Sequence, residues 1–217
     1  MSLTKFIRPF FTGRARAIDR YATCAEDIQR GVLDRLLRQA GETEWGKLHH
    51  YASIHSYEAF AQQVPLNSYE ELKGPIDRMR QGAANVLWPG RVRWYAMSSG
   101  TTADKSKFIP VSPQGLKDTH YAGGRDAVAL YLRNYPKSRL FDGRALILGG
   151  SHAPNYNLPG SLVGDLSAIL IENINPLVNL MRVPRKRTAL LSDFEVKRDR
   201  IAQECLHKNI TNISGVP

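Results

Sequence analysis

One stretch constrains this chain more than any other. The apolar run Trp94-Tyr95-Ala96-Met97 passes through Ser98, Ser99, Gly100, Thr101, Thr102, Ala103 and Asp104. It leaves past Lys105 and Lys107 into a second apolar run, Phe108-Ile109-Pro110-Val111. That pattern predicts a strand, a tight loop and another strand. Gly100 can take a positive φ, and Ser98, Ser99, Thr101 and Thr102 supply hydroxyl donors. Successive N–H groups in such a turn form a nest for an anion, and Lys105 and Lys107 add positive charge at its exit. The reading is a loop that holds nucleotide phosphates; its competitor is an ordinary Ser/Gly-rich hairpin turn. The stretch lacks the G-x-x-x-x-G-K-[ST] spacing of the common P-loop. It also lacks the G-x-S-x-G of a hydrolase nucleophile elbow.

The rest of the composition bounds the class. The chain has 217 residues and a formal net charge of +10. A basic balance admits nucleic acid or an anionic small ligand. The arginines are dispersed, and no zinc-finger spacing or aromatic RNA-binding signature accompanies them, so nucleic acid is not expected. Cys24 and Cys205 stand far apart and in no C-x-x-C pair, which suits a reducing cytoplasm rather than a disulfide framework. The N-terminus lacks the continuous apolar core of a signal peptide, and no apolar run approaches a membrane span.

Along the chain, Ile18, Tyr21, Ala25, Ile28, Val32 and Leu36 recur at helical steps and predict one helix over 15–40, stopped by Gly41. Ser56 can cap a short helix through Gln63. Ser68-Tyr69-Glu70-Glu71 has the form of a capping box, opening a helix that Pro75 kinks or restarts and Gly82 ends. Residues 1–85 therefore read as mainly helical. Residues 86–217 read as a partial α/β region continuous with them, the two forming one domain.

After the loop, Ser112-Pro113 opens a helix with Leu116, His120, Gly123, Ala127 and Leu130 on one face. Gly123-Gly124 inside it costs roughly 2 kcal/mol relative to two alanines; such a pair marks close packing or close approach of a ligand. His120 reads first as a packed helix histidine. Arg125 is either a surface arginine or a bidentate partner for a substrate carboxylate.

Arg144 to Gly150 is an apolar strand without alternation, suited to a sheet covered on both faces. Ser151–Gly160 reads as a loop, and Leu162–Ile171 and Pro176–Met181 as helices. The basic run from Met181 to Arg187 reads as solvated charge. Ser192-Asp193-Phe194-Glu195 reads as a second capping box, with Phe194, Ile201 and Cys205 on one helix face. Asn209–Ile213 reads as a strand.

The segments PLNSYEELKGPIDRM, NVLWPG, WYAMSSGTTADKSKFIPVS, GGSHAPNYNLPGSLVGDLSAILIENI and NITNISGVP, in that order, resemble the auxin-responsive promoter family. These are the acyl-acid amido synthetases of plants and their bacterial homologues. The resemblance runs from about Trp45 onward and is nearest the bacterial branch. It implies an adenylate-forming enzyme: a carboxylic acid is activated with ATP and magnesium to an acyl-adenylate, and the acyl group passes to an amino acid amine. Ser98, Ser99, Gly100, Thr101, Thr102, Lys105 and Lys107 match the family's first nucleotide motif. The helix after the loop lines the acid pocket in relatives, which makes Arg125 and His120 candidate substrate-binding residues.

Relatives are more than twice as long, and their further nucleotide motifs, magnesium-holding residues and catalytic lysine fall beyond Pro217. The chain is therefore expected to be the N-terminal, incomplete α/β portion of an adenylate-forming fold. It is expected to hold no catalytic residue and no metal ligand, to be inactive alone, and to self-associate through surface exposed by truncation. Three other readings stand beside this one: an acyl-CoA ligase or acyl-protein synthetase-like enzyme, a non-catalytic nucleotide- or acyl-binding module, and a basic nucleic-acid-binding protein.

Overall fold

The computed structural model describes residues 2–98 and 106–215. In chain order the elements are α1 (Leu3–Asp19), a 3-10 turn (Arg20–Ala22), α2 (Ala25–Ala40), α3 (Glu44–Leu48), a 3-10 turn (Tyr51–Ser53), α4 (Tyr57–Gln63) and α5 (Tyr69–Arg80). Then come β1 (Trp94–Met97), β2 (Phe108–Val111), α6 (Pro113–Gly115), a π turn (Leu116–Tyr121), α7 (Ala122–Asn134), β3 (Arg144–Ile147), β4 (His152–Pro154) and β5 (Leu162–Gly164). The series closes with α8 (Leu166–Glu172), α9 (Pro176–Asn179), β6 (Arg182–Val183), α10 (Lys186–Ala189), α11 (Phe194–Cys205) and β7 (Ile210–Ser214). The chain is α/β with a helical first part, as its patterning predicts. No helix of the described residues is long and apolar enough to cross a membrane. Cys24 and Cys205 are both free.

The chain forms two compact units, neither of them a single run of sequence. One holds Asp19–Pro113 and Pro154–Ser161; the other holds Met1–Ile18, Gln114–Ala153 and Leu162–Pro217.

In the first unit, local sequence sets the helix ends. The Ser56 side chain accepts the Ala59 N–H at the start of α4. Ser68 and Glu71 form the complete capping box at the start of α5. Helix α5 runs on through Pro75 and is left behind at Gly82, whose φ of +99° suits glycine. The helix expected over 15–40 is broken: α1 ends at Asp19 and α2 begins at Ala25, with the 3-10 turn between. The break resets the helical phase, so Tyr21, Val32 and Leu36 are exposed while Leu37 and Ala40 are buried. Val86 to Trp88 is irregular chain, with Val86 buried. Its carbonyl and that of Asn85 accept the first N–H groups of α3. Strands β1 and β2 pair antiparallel, Trp94 opposite Val111 through Met97 opposite Phe108, as the strand–loop–strand pattern predicts.

In the second unit, β3 lies between β6 and β7, and both pairings are parallel. The parallel pairing accords with the unalternating Arg144–Ile147 run, but Arg144 is exposed and Ala145, Leu146 and Ile147 are only half-buried, so the strand is not covered on both faces as expected. The buried residues Ala168, Ile169 and Ile171 of α8 supply core. Glycine is favoured after β3 at Gly150, where a Cβ would run into both the carboxylate and the Cβ of Asp165.

Several expectations for the second half of the chain change. Leu162–Gly164 is strand, with α8 starting only after Asp165, and His152–Pro154 is strand rather than loop. The cap of α11 is Asp193, whose side chain accepts the Val196 N–H, so a single cap one residue on replaces the Ser192 capping box, and Phe194 is exposed. Arg182 is not solvated charge: it is 5% exposed, donates to Asn179 Oδ1 and the Pro184 carbonyl, and burial lowers its pKa. The π turn shifts the phase of the helix after the loop, so Leu116, Ala129 and Leu132 are buried while Ala127 is exposed.

Candidate functional site

The β1–β2 hairpin brings Ser98 and Lys107 together. The Ser98 N–H donates to the Lys107 carbonyl at 3.0 Å, and the Lys107 N–H reaches the Ser98 hydroxyl at 3.4 Å. The backbone thus closes a neck, with Ser98 as the last described residue of one strand and Lys107 near the start of the other. Ser99, Gly100, Thr101, Thr102 and Lys105 lie outside the described residues. Among the described residues no carboxylate pairs with Lys107, and no acceptor takes the Ser98 hydroxyl proton. An exposed ammonium and a hydroxyl with its proton unused are donors suited to an anion.

The hairpin is buttressed inside its own unit. Tyr95 is fully buried in β1, and its hydroxyl donates to the Val92 carbonyl at 3.0 Å. Burial pushes the Tyr95 phenol up to about 12. Along β2, the Phe108 N–H donates to the Tyr69 hydroxyl at 2.9 Å, and the Arg80 guanidinium stacks 3.6 Å from the Phe108 ring centroid. The turn at 154–161 holds the end of α5: buried Asn155 donates through Nδ2 to the Arg80 carbonyl and the Ser161 hydroxyl, both at 3.0 Å. Ser161 in turn donates to the Arg93 carbonyl at 2.7 Å, just before β1. Tyr69, Arg80 and Asn155 were not singled out by sequence reasoning. The capping box announced the helix on which Tyr69 sits, but no local pattern shows which strand a helix will lie against.

The other two candidates belong to the second unit. His120 is half-buried in the π turn and Arg125 is exposed on α7. A Cβ added to Gly123 or Gly124 would meet nothing within 4 Å, so tight packing among the described residues does not explain the glycine pair. Next to Arg125, Asp126 receives Arg14 bidentately, at 2.5 Å to each oxygen. Those bonds hold the Asp126 carboxyl below the usual range, with a smaller contribution from the charge on Arg125. Arg125 forms no ion pair among the described residues, so its guanidinium is available. At the end of β3, Lys197 donates to the carbonyls of Gly149, at 2.5 Å, and Gly150, at 3.0 Å. Burial lowers its pKa against the opposing pull of Asp165.

Comparison with known proteins bears on this arrangement. An indole-3-acetic acid-amido synthetase, GH3.6 of Arabidopsis thaliana, is 29% identical over 100 residues, covering 46% of this chain and 16% of the relative. A jasmonoyl–L-amino acid synthetase, GH3.3 of Oryza sativa subsp. japonica, is 30% identical over 102 residues, covering 46% and 22%. Among solved structures, the GH3.15 acyl acid amido synthetase superposes with a TM-score of 0.68 at 19% identity. That match covers 84% of this chain and 32% of the other, and it establishes the fold as the N-terminal part of that architecture. The chain thus spans about a third of the solved relative and less than a quarter of these two curated ones. Residues 14–214 match the GH3 family N-terminal domain, and the chain therefore belongs to the GH3 family.

Proposed function

We propose that this chain serves an ATP-dependent acyl-acid amido synthetase, which activates a small carboxylic acid and transfers the acyl group to an amino acid amine. The observation that carries the reading is the family match over residues 14–214, with the Ser98–Lys107 neck in the segment expected to meet ATP phosphates. Bound ATP would supply the activation of the carboxylate. The residues at the neck fit its phosphates: one exposed ammonium and one hydroxyl donor, with no carboxylate among the described residues paired with either. Ser99, Gly100, Thr101, Thr102 and Lys105 complete the proposed phosphate-binding set. Lysine and N–H donors there would stabilise negative charge developing on the departing pyrophosphate.

Among the described residues no group of three or more His, Cys, Asp or Glu could hold a metal. Magnesium bound together with ATP would offset the phosphate charge. Arg125, without an ion pair among the described residues and beside the open glycine face of α7, is the proposed partner of the acid carboxylate, with His120 in the preceding π turn. A cytoplasmic location and a bacterial origin belong to this reading, the former supported by the two free cysteines. Self-association belongs to it too, since Phe6, Phe10 and Ile213 are largely exposed.

The test is calorimetric titration of the chain with ATP and magnesium, and with tripolyphosphate. Binding of both, weakened about tenfold or more by Lys107→Ala, supports the reading. Equal binding by the variant removes Lys107 from the site, and no binding of either ligand removes the phosphate loop.

A further inference from the structure

Helix α5 grips the strand that leaves the neck. In an antiparallel pair alternate N–H groups point away from the partner strand. At Phe108 that outward N–H is taken by the Tyr69 hydroxyl at 2.9 Å, so a side chain of α5 covers this edge of β2. The ring of the same tyrosine lies 5.5 Å from the Lys107 ammonium, within range of a cation–π contact. Tyr69 is itself well placed to stay still: it is the first residue of α5, directly after the Ser68 cap of the capping box. At the far end of α5, Arg80 stacks on Phe108 and is held by Asp77 at 3.2 Å.

We propose that Tyr69 is the positioning residue for Lys107 at the anion site, an inference that rests on the phosphate reading of the hairpin. A lysine ammonium rides on a flexible four-carbon stem, and fixing it costs rotamer entropy when an anion binds. The face of Tyr69 meets part of that cost in advance. It does so without neutralising the charge, as a carboxylate partner would. The Tyr69 hydroxyl fixes the backbone one residue further on, so the base of the lysine and its tip are both set from a single side chain. Two functions in one residue separate by substitution: Tyr69→Phe keeps the ring and loses the hydroxyl, whereas Tyr69→Leu loses both.

The experiment is a double-mutant cycle on the 217-residue chain, with tripolyphosphate and ATP as probes in calorimetry and with thermal melts run in parallel. Tyr69→Leu is expected to weaken binding about three- to fivefold, and Tyr69→Phe less than twofold. In a Lys107→Ala background, Tyr69→Leu is expected to add no further loss, while its effect on the melting temperature is the same in both backgrounds. An equal loss of affinity with and without Lys107 would make Tyr69 merely structural and overturn the inference, as would unchanged affinity in Tyr69→Leu. If Lys107→Ala binds the probes as the unaltered chain does, or if that chain binds neither, the phosphate reading itself fails.

Discussion

Asp142 caps a helix 138 residues away from it in sequence. One of its carboxylate oxygens accepts the Thr4 N–H and the Thr4 hydroxyl, each at 2.9 Å, and the Ser2 hydroxyl at the same distance. The other accepts from Arg139 at 2.8 Å. The Thr4 hydroxyl also accepts the Phe141 N–H at 2.9 Å, which locks the loop before β3 onto the first turn of α1. Helix α1 carries no acidic residue in its own first turn; the Ser2 hydroxyl takes the Lys5 N–H, and this remote carboxylate takes the Thr4 N–H and supplies the negative charge the N-terminus favours.

Asp142→Ala is expected to lower the melting temperature by a few degrees and to loosen α1, seen as loss of amide protection over residues 4–8. Hydrogen bonds from Thr4 and Arg139 hold the Asp142 carboxyl far below its ordinary value of 3.8. A depressed carboxyl stabilises the fold fully above the unfolded value and loses that contribution as the pH falls from there toward the folded one. The difference in melting temperature between the unaltered chain and the variant should therefore be constant above about pH 5 and shrink below about pH 4. A difference that does not depend on pH would show that the carboxylate charge is not what Thr4 uses.

Tyr95 gives the opposite sign at the alkaline end. Its phenol is raised by burial to about 12 from an ordinary 10. The neutral form is favoured in the fold, so its contribution is complete below pH 10 and is lost as the pH rises from 10 through 12. Two pKa units correspond to roughly 3 kcal/mol of stability lost across that interval. Urea unfolding at a series of pH values should show this slope in the unaltered chain and a shallower one in Tyr95→Phe. At pH 7 the variant should be about 1 kcal/mol less stable, because the Val92 carbonyl loses its donor. A slope that survives intact in the variant would assign the alkaline transition to other residues.

How much of this could be read in advance follows from the range of each interaction. The Ser56 cap, the Ser68–Glu71 box, the β1–β2 hairpin and the Ile210–Ser214 strand all depend on neighbours within a few residues or on short alternation, and each was legible. The buried stripe of α7 was not, because a π turn at Leu116–Tyr121 changes the residues per turn and no side-chain pattern announces it. Arg182 looked like part of a charged turn, and only the tertiary fold supplies Asn179 and Pro184 as its acceptors. At the candidate site, the hydroxyl-rich loop and its lysines stood out by composition. Tyr69 and Arg80 did not, since their value lies in β2 running past α5.

Gly46 offers a sharper test of backbone packing. It lies in the first turn of α3, and a Cβ placed there would run into the carbonyl of Ala40 at the end of α2. Thr43 ties the same corner, accepting the Gly46 N–H at 2.9 Å and donating to the Ala40 carbonyl at 2.6 Å. The obstacle is backbone and cannot swing aside. Gly46→Ala is expected to destabilise by about 1–3 kcal/mol in urea unfolding, despite the better helix propensity of alanine. A neutral or stabilising result would mean that α3 is free to move off α2.

Gly123 and Gly124 should respond in the other direction. Both sit in regular helix within α7, neither has a positive φ, and a Cβ on either would meet nothing within 4 Å. Alanine at each position should therefore stabilise the chain, by about 0.8–1 kcal/mol apiece on helix propensity alone. A glycine pair that weakens its own helix over an open face is suited to something approaching that face closely, and Arg125 follows it directly. The double variant Gly123→Ala/Gly124→Ala is thus expected to gain stability in urea unfolding while weakening the binding of a small carboxylic acid, measured by calorimetry on the same preparation. A gain in stability with unchanged acid binding would remove the glycine face from the proposed acid site and leave only the helix effect. A loss of stability would show that the open face is occupied after all.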